Sequence, residues 1–552
     1  MFSLLPSVLL RTIKLDEPSK SVSLKNLDTF SQSHKHLIVE LSIGSLSPLR
    51  CAAKITFNDK DHGPLYYTSS ISSDDQGVGQ WCSAEKKDRA HIHGPDLGKV
   101  SGGYTSGYMI FPYCYQDDRE KTTMGFFCHE GRSVTRITGQ YHSQDPLETI
   151  TISLPRGAFS AGSIIRLYGV DQVMQLEEVF LRARGTLVMK EFSEKSDSVI
   201  LVGSVRSSSS GFDYARLHQG DRVYHTLNGD DNGIYCYQRL TSEGRKRKRT
   251  SDAKDVVGMK RGKRLRKLLS RFRILKIVVQ KSKARIPGAG IQSLSIKNEG
   301  GEEKRVAWVP NSEAPEGLFG VHTIIYPNIA EERHVRSWLS FHGAYDGVWD
   351  PVANETGFWQ SREGLMKIYL YPRGGPESKG RDAEAGSVVS LYGIDRSRVI
   401  YEVKEETSRI EIECPLGGHN LQVLINASSK KSGAQDVLQV RFNEDHDIEN
   451  YECRAMMATN RSHVSMNWAG PGMAMLPAAD ADNGQSGIVI ISILEYEAED
   501  RRKQILCCYG GERVIGLCGA VWRRYDPIRR MELSLESGSL FTLGSKIEVW
   551  EN

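Results

Sequence analysis

A chain of 552 residues is too long to fold around one hydrophobic core, and a prior of about 150 residues per domain predicts three or four cores. Its 10 cysteines lack any Cys-x-x-Cys spacing, which argues against a disulfide scaffold, and no apolar run reaches the roughly 18 residues of a membrane-spanning helix. The net charge of +4 hides an asymmetry, because residues 243–285 hold 18 Lys and Arg against 3 acids. That segment carries +15, so the remainder of the chain carries −11.

In chain order, we predict an N-terminal arm over residues 1–20, which are apolar at first but lack the basic start and cleavage site of a signal peptide. A first strand is the alternative for this segment. Three repeated units follow. The predicted division is a first unit at 21–172, a linker at 173–195, a second unit at 196–396 with an insertion at 243–285, and a third unit at 397–552.

Near the start of each unit, a strand ends in an Asn/Asp turn and an aromatic strand follows. Phe57-Asn58-Asp59 leads to Tyr66, and Phe442-Asn443-Glu444-Asp445 leads to Tyr451, nine residues after the Phe in both cases. Asn and Asp tolerate left-handed backbone angles and bond their own backbone, so these clusters predict hairpin turns. The second unit offers a similar order in Leu227-Asn228-Gly229-Asp230 followed by Tyr235.

Each unit ends with a repeated phrase. Residues 161–171 read Ala-Gly-Ser-Ile-Ile-Arg-Leu-Tyr-Gly-Val-Asp, and residues 385–395 read Ala-Gly-Ser-Val-Val-Ser-Leu-Tyr-Gly-Ile-Asp. A worn third copy, Leu-Gly-Ser-Lys-Ile-Glu-Val-Trp, occupies residues 543–550. Upstream of each copy stand an aromatic residue, a turn residue five positions on and an apolar residue four further on: Tyr141, Pro146 and Ile150; Trp359, Gly364 and Ile368; Trp522, Pro527 and Met531.

Segments such as residues 149–154 and 530–535 alternate apolar and polar residues with a period of two, which indicates a sheet with one face on a core and one in water. We therefore predict an all-β fold of three tandem jelly-roll-like β-sandwich domains, strung as beads, with a closed barrel as the alternative for each. Seven residues of the repeated anchors are predicted to pack in the repeat cores: Tyr141, Leu167, Tyr168, Trp359, Leu391, Tyr392 and Trp522.

This order of strand, Asn/Asp turn, Gly-rich middle and closing phrase resembles uncharacterised virion structural proteins of tailed phages. The Gly-Ser-x-x-x-Leu-Tyr-Gly phrase, from Gly162 to Gly169 and from Gly386 to Gly393, is the most specific part of the resemblance. The third copy departs from it, since Val549 and Trp550 replace Leu-Tyr-Gly. The resemblance implies a non-enzymatic capsid decoration, tail or fibre component in the virion that contacts coat or tail proteins and forms homo-oligomers.

Two other functions stay open at this point. A host-glycan-binding adhesin would use exposed aromatic residues such as Tyr66, Tyr67 or Trp468 to stack on sugars. A polysaccharide-degrading tail enzyme would need paired carboxylates, for which the pairs Asp74-Asp75 and Glu444-Asp445 are weak candidates because most such pairs are solvated turns. We find no nucleophile elbow, no phosphate-binding loop and no His-Glu-x-x-His, so the sequence favours a protein that is not an enzyme.

Calcium is the one candidate metal ion, and no other cofactor is predicted. Asp59 and Asp61 in the first unit match Asp445 and Asp447 in the third, and turn carboxylates one residue apart can share calcium through their oxygens. Turn chemistry alone also explains these acids. Zinc at His91 and His93 has less support, because the pair lacks a third ligand.

The basic insert has the composition of an interaction arm. Its patch residues are Arg245, Lys246, Arg247, Lys248, Arg249, Lys263, Arg264, Arg266 and Lys267. Such a segment suits an acidic capsid or tail surface, and nucleic acid or a membrane surface as an alternative. A solvated loop without a partner is the simplest interpretation.

Overall fold

The computed structural model describes most of the chain. Outside the described residues are 1–3, 48–50, 61–64, 75–76, 82–90, 98–102, 131, 191–195, 197, 207–219, 228–234, 245–288, 293–294, 298–304, 311–318, 328, 330–335, 344–351, 360, 362–364, 374–381, 395–398, 460–462, 480–485, 512–513 and 552. Along parts of some strands, only the backbone is described.

The fold is all-β, as predicted, and consists of three β-sandwich units that follow one another along the chain. The strands of the first unit are β1 (Ser7–Lys14), β2 (Ser21–Leu24), β3 (Leu37–Gly44), β4 (Cys51–Phe57), β5 (Tyr66–Asp74), β6 (Gly77–Trp81), β7 (Ile92–Leu97), β8 (Tyr104–Phe111), β9 (Lys121–His129), β10 (Ser133–Tyr141), β11 (Ile150–Ser153) and β12 (Ile164–Val170).

The second unit has the same succession of strands with one addition near its insertion. Its strands are β13 (Gln175–Phe180), β14 (Leu187–Lys190), β15 (Val199–Val205), β16 (Gly220–Leu227), β17 (Tyr235–Gly244), β18 (Ala289–Gln292), β19 (Ser295–Lys297), β20 (Arg305–Pro310), β21 (Gly320–Tyr326), β22 (Arg336–Gly343), β23 (Val352–Trp359), β24 (Lys367–Arg373) and β25 (Val388–Gly393).

The third unit completes the set, and short 3-10 helices at Leu27–Phe30, Gln172–Met174 and Ile448–Asn450 connect strands in the chain. Its strands are β26 (Val399–Glu402), β27 (Arg409–Glu413), β28 (Asn420–Ala427), β29 (Gln435–Phe442), β30 (Tyr451–Thr459), β31 (His463–Ala469), β32 (Gly472–Pro477), β33 (Gly487–Leu494), β34 (Lys503–Gly511), β35 (Val514–Trp522), β36 (Arg530–Leu535) and β37 (Lys546–Glu551).

Each unit pairs a larger antiparallel sheet with a smaller one of four strands. The larger sheets have the orders β1-β12-β3-β8-β9-β10-β5-β6, β13-β25-β15-β21-β22-β23-β17-β18 with β19 also on β17, and β26-β37-β28-β33-β34-β35-β30-β31. The smaller sheets are β2-β11-β4-β7, β14-β24-β16-β20 and β27-β36-β29-β32. The repeated phrase therefore forms the second strand of every larger sheet.

The pairing differs from the predicted arm and linker. β1 lies within the predicted N-terminal arm and pairs with β12, so these residues form the edge of the first unit's larger sheet. β13 and β14 lie within the predicted linker and pair with β25 and β24 of the second unit. The strand formed by the repeated phrase has a neighbour on both sides. The outer neighbour is the first strand of each unit: β1, β13 or β26.

The predicted beads-on-a-string arrangement is wrong, because the three larger sheets share a buried core. Each unit has a core of its own between its two sheets. A further core joins Ile38 and Tyr168 of the first unit, Val202 of the second unit, and Leu424 and Trp550 of the third. Inner strands of the larger sheets, such as β3, β12 and β28, are therefore buried on both faces.

Strand burial follows from this arrangement. In β12, Leu167 packs in the first unit's own core, whereas Tyr168 points to the shared core. β27 of a smaller sheet alternates exposed and buried residues instead, with Ile410 and Ile412 inside. Thus the period of two that was seen in the sequence belongs to sheets with one wet face, and the continuous apolar strands belong to sheets with none.

Candidate functional site

The two Asn turns that the structure describes are held by the same set of side-chain hydrogen bonds. Asn58 and Asp59 have φ of 52° and 53°, and Asn443 and Glu444 have φ of 48° and 59°. The side chain of Asn443 accepts hydrogen bonds from the backbone N–H groups of Arg529 (2.8 Å) and Arg530 (3.1 Å) and donates one to the carbonyl of Pro527 (2.7 Å).

Asn58 repeats this pattern in the first unit. It accepts from the N–H groups of Glu148 (2.8 Å) and Thr149 (3.1 Å) and donates to the carbonyl of Pro146 (2.9 Å). In each turn, the Asn side chain thus bonds to the Pro and to the backbone that leads into the next strand. These bonds connect the turn to the aromatic-Pro-strand spacing that repeats in the sequence.

The tyrosine that follows each turn bonds to the backbone of the turn through its hydroxyl. The hydroxyl of Tyr66 accepts from the Phe57 N–H (2.9 Å) and donates to the Lys60 carbonyl (2.6 Å), and Tyr66 stacks on Tyr141 with ring centroids 5.0 Å apart. Tyr451 holds Phe442 and Asp445 equivalently. Tyr66 is fully buried. Its suggested role as an exposed sugar platform is therefore wrong, and the side chains of Tyr67 and Trp468 lie outside the described part.

In the third unit, the two carboxylates that suggested calcium are bonded to protein donors. Asp445 accepts from Trp522 Nε1 (2.8 Å) and Asn450 Nδ2 (2.9 Å), and Asp447 caps the short helix through the Glu449 N–H (3.0 Å). Asp59 is exposed, and Asp61 lies outside the described residues. Among the residues that the structure describes, no three His, Cys, Asp or Glu side chains are grouped as metal ligands.

All seven residues predicted for the repeat cores are buried. Tyr141 and Leu167 lie in the first unit's core, Trp359 and Leu391 in the second unit's, and Trp522 in the third unit's. Tyr168 and Tyr392 face the other way and lie in the core shared by the units. These two tyrosines therefore mark the contact between units and not the interior of one sandwich.

One position in the repeated phrase forms the contacts between units, and sequence reasoning missed it. The residue before the Leu-Tyr or Val-Trp pair is Arg166 in the first unit, Ser390 in the second and Glu548 in the third. Ser390 bonds to Tyr113 of the first unit (3.0 Å), and Glu548 accepts from Ser198 of the second unit (3.1 Å). The sequence did hold a sign of this role, because the residue type at this position differs among three copies of an otherwise repeated phrase.

Arg166 makes the third of these contacts, in the most polar junction. It pairs with Glu40 of its own unit (2.8 Å) and with Glu495 of the third unit. Glu40 also accepts from Asn420 Nδ2 of the third unit (2.6 Å). Burial raises the pKa of Glu40, and the Arg166 guanidinium opposes this shift. The first and third units thus meet at a fully buried ionic cluster.

A second set of contacts runs in the same direction at two of the three junctions. The guanidinium of Arg119, held by Asp118, donates to the Gly386 carbonyl of the second unit (2.9 Å). Arg501 of the third unit, held by Asp500, donates to the Gly162 carbonyl of the first unit (3.2 Å). The Asp-Arg pair of one unit therefore clamps the closing turn of the next.

Small residues show that the ring closes. A Cβ added to Gly343 of the second unit would collide with Thr138 of the first, and one added to Gly510 of the third would collide with Thr356 of the second. Where the third unit meets the first, the glycine lies on the other partner. A Cβ added to Gly519 of the third unit would collide with Cys128 of the first. The contacts pass from first to second, second to third and third to first, which is a head-to-tail ring of three.

The outermost strand of each larger sheet exposes large apolar side chains. On β1 these are Val8 and Leu9, on β13 Phe180, and on β26 Val399 and Ile400, each between 42% and 48% exposed. In the third unit, an open groove of about 410 Å³ lies beside β26 and the start of β27. The ring therefore presents three similar edges outwards.

The basic patch predicted at 245–249 and at Lys263, Arg264, Arg266 and Lys267 lies outside the described residues. The strands on either side of it are described and pair with each other, with Gly244 opposite Ala289. The insertion therefore leaves and re-enters the sheet at adjacent positions.

Within the described residues, no helix is long and apolar enough to cross a membrane. No family model and no curated protein matches this chain. Among solved structures, the chain is similar at 11% identity to mouse laminin alpha1 chain domains LG4-5, over 70% of this chain and 90% of that one, with a TM-score of 0.16.

Two further structures are similar at this level. The translocator domain of the autotransporter NalP from Neisseria meningitidis is 7% identical over 92% of this chain and 91% of that one, with a TM-score of 0.10. Intact Ap-TbpB with its N and C lobes is 9% identical over 94% and 80%, with a TM-score of 0.09. Likeness this low carries no argument about function.

Proposed function

We propose that this chain is a non-enzymatic structural protein of a tailed-phage virion, either a capsid decoration protein or a tail or fibre component. The observation that carries the proposal is the closed head-to-tail ring of three β-sandwich units. In such a ring, the inner faces of the larger sheets are buried against one another. The outer surface is therefore the part that can contact other molecules.

The outer surface supports this assignment. Three similar edges, each with exposed apolar side chains, give the block three related contact surfaces around one centre. Unpaired sheet edges of this kind are ready positions for contact with another chain. Coat or tail proteins and further copies of this chain are the partners that we propose, and the virion is the proposed location.

The clamps between units support a structural role as well. Arg119 and Arg501 are almost fully buried, and each joins its own carboxylate to a carbonyl of the next unit. Charge-assisted bonds in fixed fork geometry hold one arrangement against alternatives. A protein that bears load in a particle needs this rigidity between units.

Labelling and composition of particles test the proposal. Antibodies against the purified full-length chain should decorate intact particles in negative stain, and gradient-purified particles should contain the chain at a constant ratio to coat protein. A chain absent from such particles would overturn the proposal. Binding of the purified chain to a glycan array, or release of sugars from a polysaccharide, would favour the adhesin or the enzyme instead.

A further inference from the structure

The third unit's own core holds three cysteine side chains on one sheet face. Cys453 lies in β30, Cys518 in β35 and Cys507 in β34, which are three neighbouring strands of the larger sheet. All three side chains are buried and pack in the core between the two sheets of that unit. Their thiols are free in the structure. The sheet therefore places three oxidisable groups side by side.

Two of these thiols are in direct contact across the sheet. Cys453 is opposite Ala520, and Cys518 is opposite Ala455, so the two cysteines are diagonal neighbours. Diagonal positions are further apart than directly opposite ones, and short side chains there do not usually touch. Here the two Sγ atoms are nonetheless 2.8 Å apart. Since a covalent S–S bond is about 2.05 Å long, the sulfur atoms need to approach by less than ~1 Å to form one.

Cys507 is the competing partner for Cys518. It is directly opposite Cys518 on the other neighbouring strand, and its side chain points to the same core. In the described part of the chain, however, the sulfur that contacts the Cys518 sulfur is that of Cys453. The geometry therefore favours the diagonal pair over the directly opposite one.

The first unit fills the positions of the diagonal pair without cysteine. Counting from the tyrosine after each Asn turn, Cys453 corresponds to Thr68. Counting back from the aromatic residue that ends β10 or β35, Cys518 corresponds to Ile137. Both first-unit residues are buried. Packing at these positions is therefore satisfied by residues that cannot form a covalent bond between strands.

We propose that Cys453 and Cys518 are a modification site, at which hydrogen peroxide oxidises the two thiols to a disulfide that links β30 to β35. One cysteine attacks the O–O bond of the peroxide, becomes a sulfenic acid and releases one water molecule. The other cysteine attacks that sulfur and displaces the sulfenic oxygen as a second water molecule. The two thiols lose two electrons and two protons, and these convert one peroxide into two water molecules.

Burial makes this reaction slow and protects its product. Burial and then the hydrogen bond with Cys453 raise the pKa of Cys518, so little thiolate is present while the unit is folded. The bond should therefore form slowly and then resist reductants that cannot enter the core. A virion protein is made in a reducing cell and later meets oxidising surroundings, which is when the bond would form. That timing rests on the proposed function, whereas the bond itself does not.

Peptide mapping of the full-length chain tests the bond. The chain is purified with a reductant, transferred to hydrogen peroxide and sampled over hours. The remaining thiols are alkylated, and linked peptides are identified by mass spectrometry. Cys453→Thr and Cys518→Ile introduce the residues that the first unit buries at this register. The control is Cys507→Ser, because the second unit has Ser340 at that position. Circular dichroism checks that each variant folds.

We expect a peptide that links Cys453 to Cys518 in the native chain and in Cys507→Ser, and no such peptide in the other two variants. Peroxide should also raise the melting temperature of the native chain by about 5 °C or more, because a link between residues 65 positions apart restricts the unfolded chain. The melting temperature of folded Cys453→Thr or Cys518→Ile should not rise.

The partly exposed Cys51 reports when peroxide has acted on the chain. If Cys51 is oxidised and the native chain still has free thiols or sulfinic acids at Cys453 and Cys518, the proposal is wrong. A link between Cys507 and Cys518 in place of the expected one overturns it too. Both outcomes are read from the purified chain and are independent of whether the chain is found in particles.

Discussion

Asn443 combines a left-handed backbone with three side-chain hydrogen bonds to one neighbouring loop. Asn443→Ala should lower the free energy of unfolding by about 2 to 4 kcal/mol, since each lost bond is worth about 1 kcal/mol and alanine is strained at this φ. Denaturant midpoints of the full-length chain measure the effect. Asn443→Gly separates the two causes, because glycine removes the bonds without the strain, and equal stability of Asn443→Ala and the native chain would contradict the role.

His36 gives the contact between the first and second units a dependence on pH. Its Nδ1 accepts from the Tyr113 N–H (3.0 Å), and its ring lies edge-on to Tyr113 and to Tyr392 of the second unit. Burial and then the neighbouring Lys35 charge lower the pKa of His36 to about 3. The folded chain thus holds this ring neutral. Its contribution is complete above the ordinary value of 6.5 and is lost as the pH falls from 6.5 towards 3.

The loss should amount to about 1.4 kcal/mol per pH unit for this one group. His36→Asn keeps a neutral acceptor and does not titrate, so its denaturant midpoint should fall less than that of the native chain between about pH 7.5 and pH 5. His322 is shifted in the same direction and keeps its own share in both proteins. His446→Gln, on an exposed turn, serves as the control. Parallel pH profiles for His36→Asn and the native chain would show that His36 is not the titrating group.

Local chemistry predicted the turns but not the partners of their side chains. Asn58 and Asn443 could be placed from sequence because left-handed backbone angles select Asn and Asp wherever they occur. The capture of Asp445 by Trp522 could not, since it depends on how close two strand ends from distant parts of the chain come. The same carboxylate pattern therefore suggested calcium.

At the scale of strands, Leu391 tests the closing phrase. It is fully buried in the second unit's core, and replacing such a leucine by alanine costs the transfer of the lost methyl groups and the cavity left behind. We expect Leu391→Ala to lower the free energy of unfolding by about 2 to 5 kcal/mol. Leu543→Ala, at a leucine that is 50% exposed and begins the third copy of the phrase, should cost far less. Similar denaturant midpoints for the two variants would contradict the core assignment.

Arg501 tests the clamp between the third unit and the first. It is 4% exposed, is held by Asp500 and lies over the Tyr104 ring of the first unit at 5.0 Å. Arg501→Ala should lower the free energy of unfolding by about 2 to 4 kcal/mol, because it strips a charge-assisted bond from the Gly162 carbonyl and removes the packing on Tyr104. Arg501→Lys should recover little, since lysine cannot make the two-point contact with Asp500.

A matched exposed pair supplies the control for this experiment. Arg524 is paired with Asp526 at 3.5 Å, and both side chains are more than half exposed. Surface pairs of this kind contribute about 0 to 1 kcal/mol, so Arg524→Ala should leave the denaturant midpoint almost unchanged. An equal effect of Arg501→Ala and Arg524→Ala would mean that the clamp does not hold the units together.

Periodicity predicted the strands of the smaller sheets well, because one wet face imposes alternation on β11 and β27. It was less informative for β33 and its equivalents. A strand such as Gly487–Leu494 is buried on both faces, and an apolar run does not reveal what lies on its second face. The shared core therefore escaped prediction, although the repeats that build it were identified.

For the whole molecule, the junctions give the three units fixed places. Thr138 and Thr356 fill the space beside glycines of the next unit, and the reversed pair of Gly519 and Cys128 closes the ring. Moving a unit to another place would leave either a cavity or a collision at such a contact. The order of the units along the chain is therefore part of how the ring is specified.

The basic insert is the last feature at this scale, and its position makes a deletion feasible. Gly244 and Ala289 are opposite each other in β17 and β18, so a short Gly/Ser turn can replace residues 245–288 without moving either strand. The melting temperature should change little, because the free energy of loop closure depends only weakly on loop length. Binding to acidic partners should fall, since the insert region carries +15 against −11 for the rest of the chain.

Salt then separates an electrostatic arm from a solvated loop. In the intact chain, affinity for a duplex DNA probe or for purified coat protein should drop steeply between about 50 and 200 mM salt, as expected when many charges are neutralised on binding. The shortened chain should show weak binding at every salt concentration. If it unfolds, the insert belongs to the second unit's core. If it folds and binds as tightly as the intact chain, the positive charge has no role in attachment.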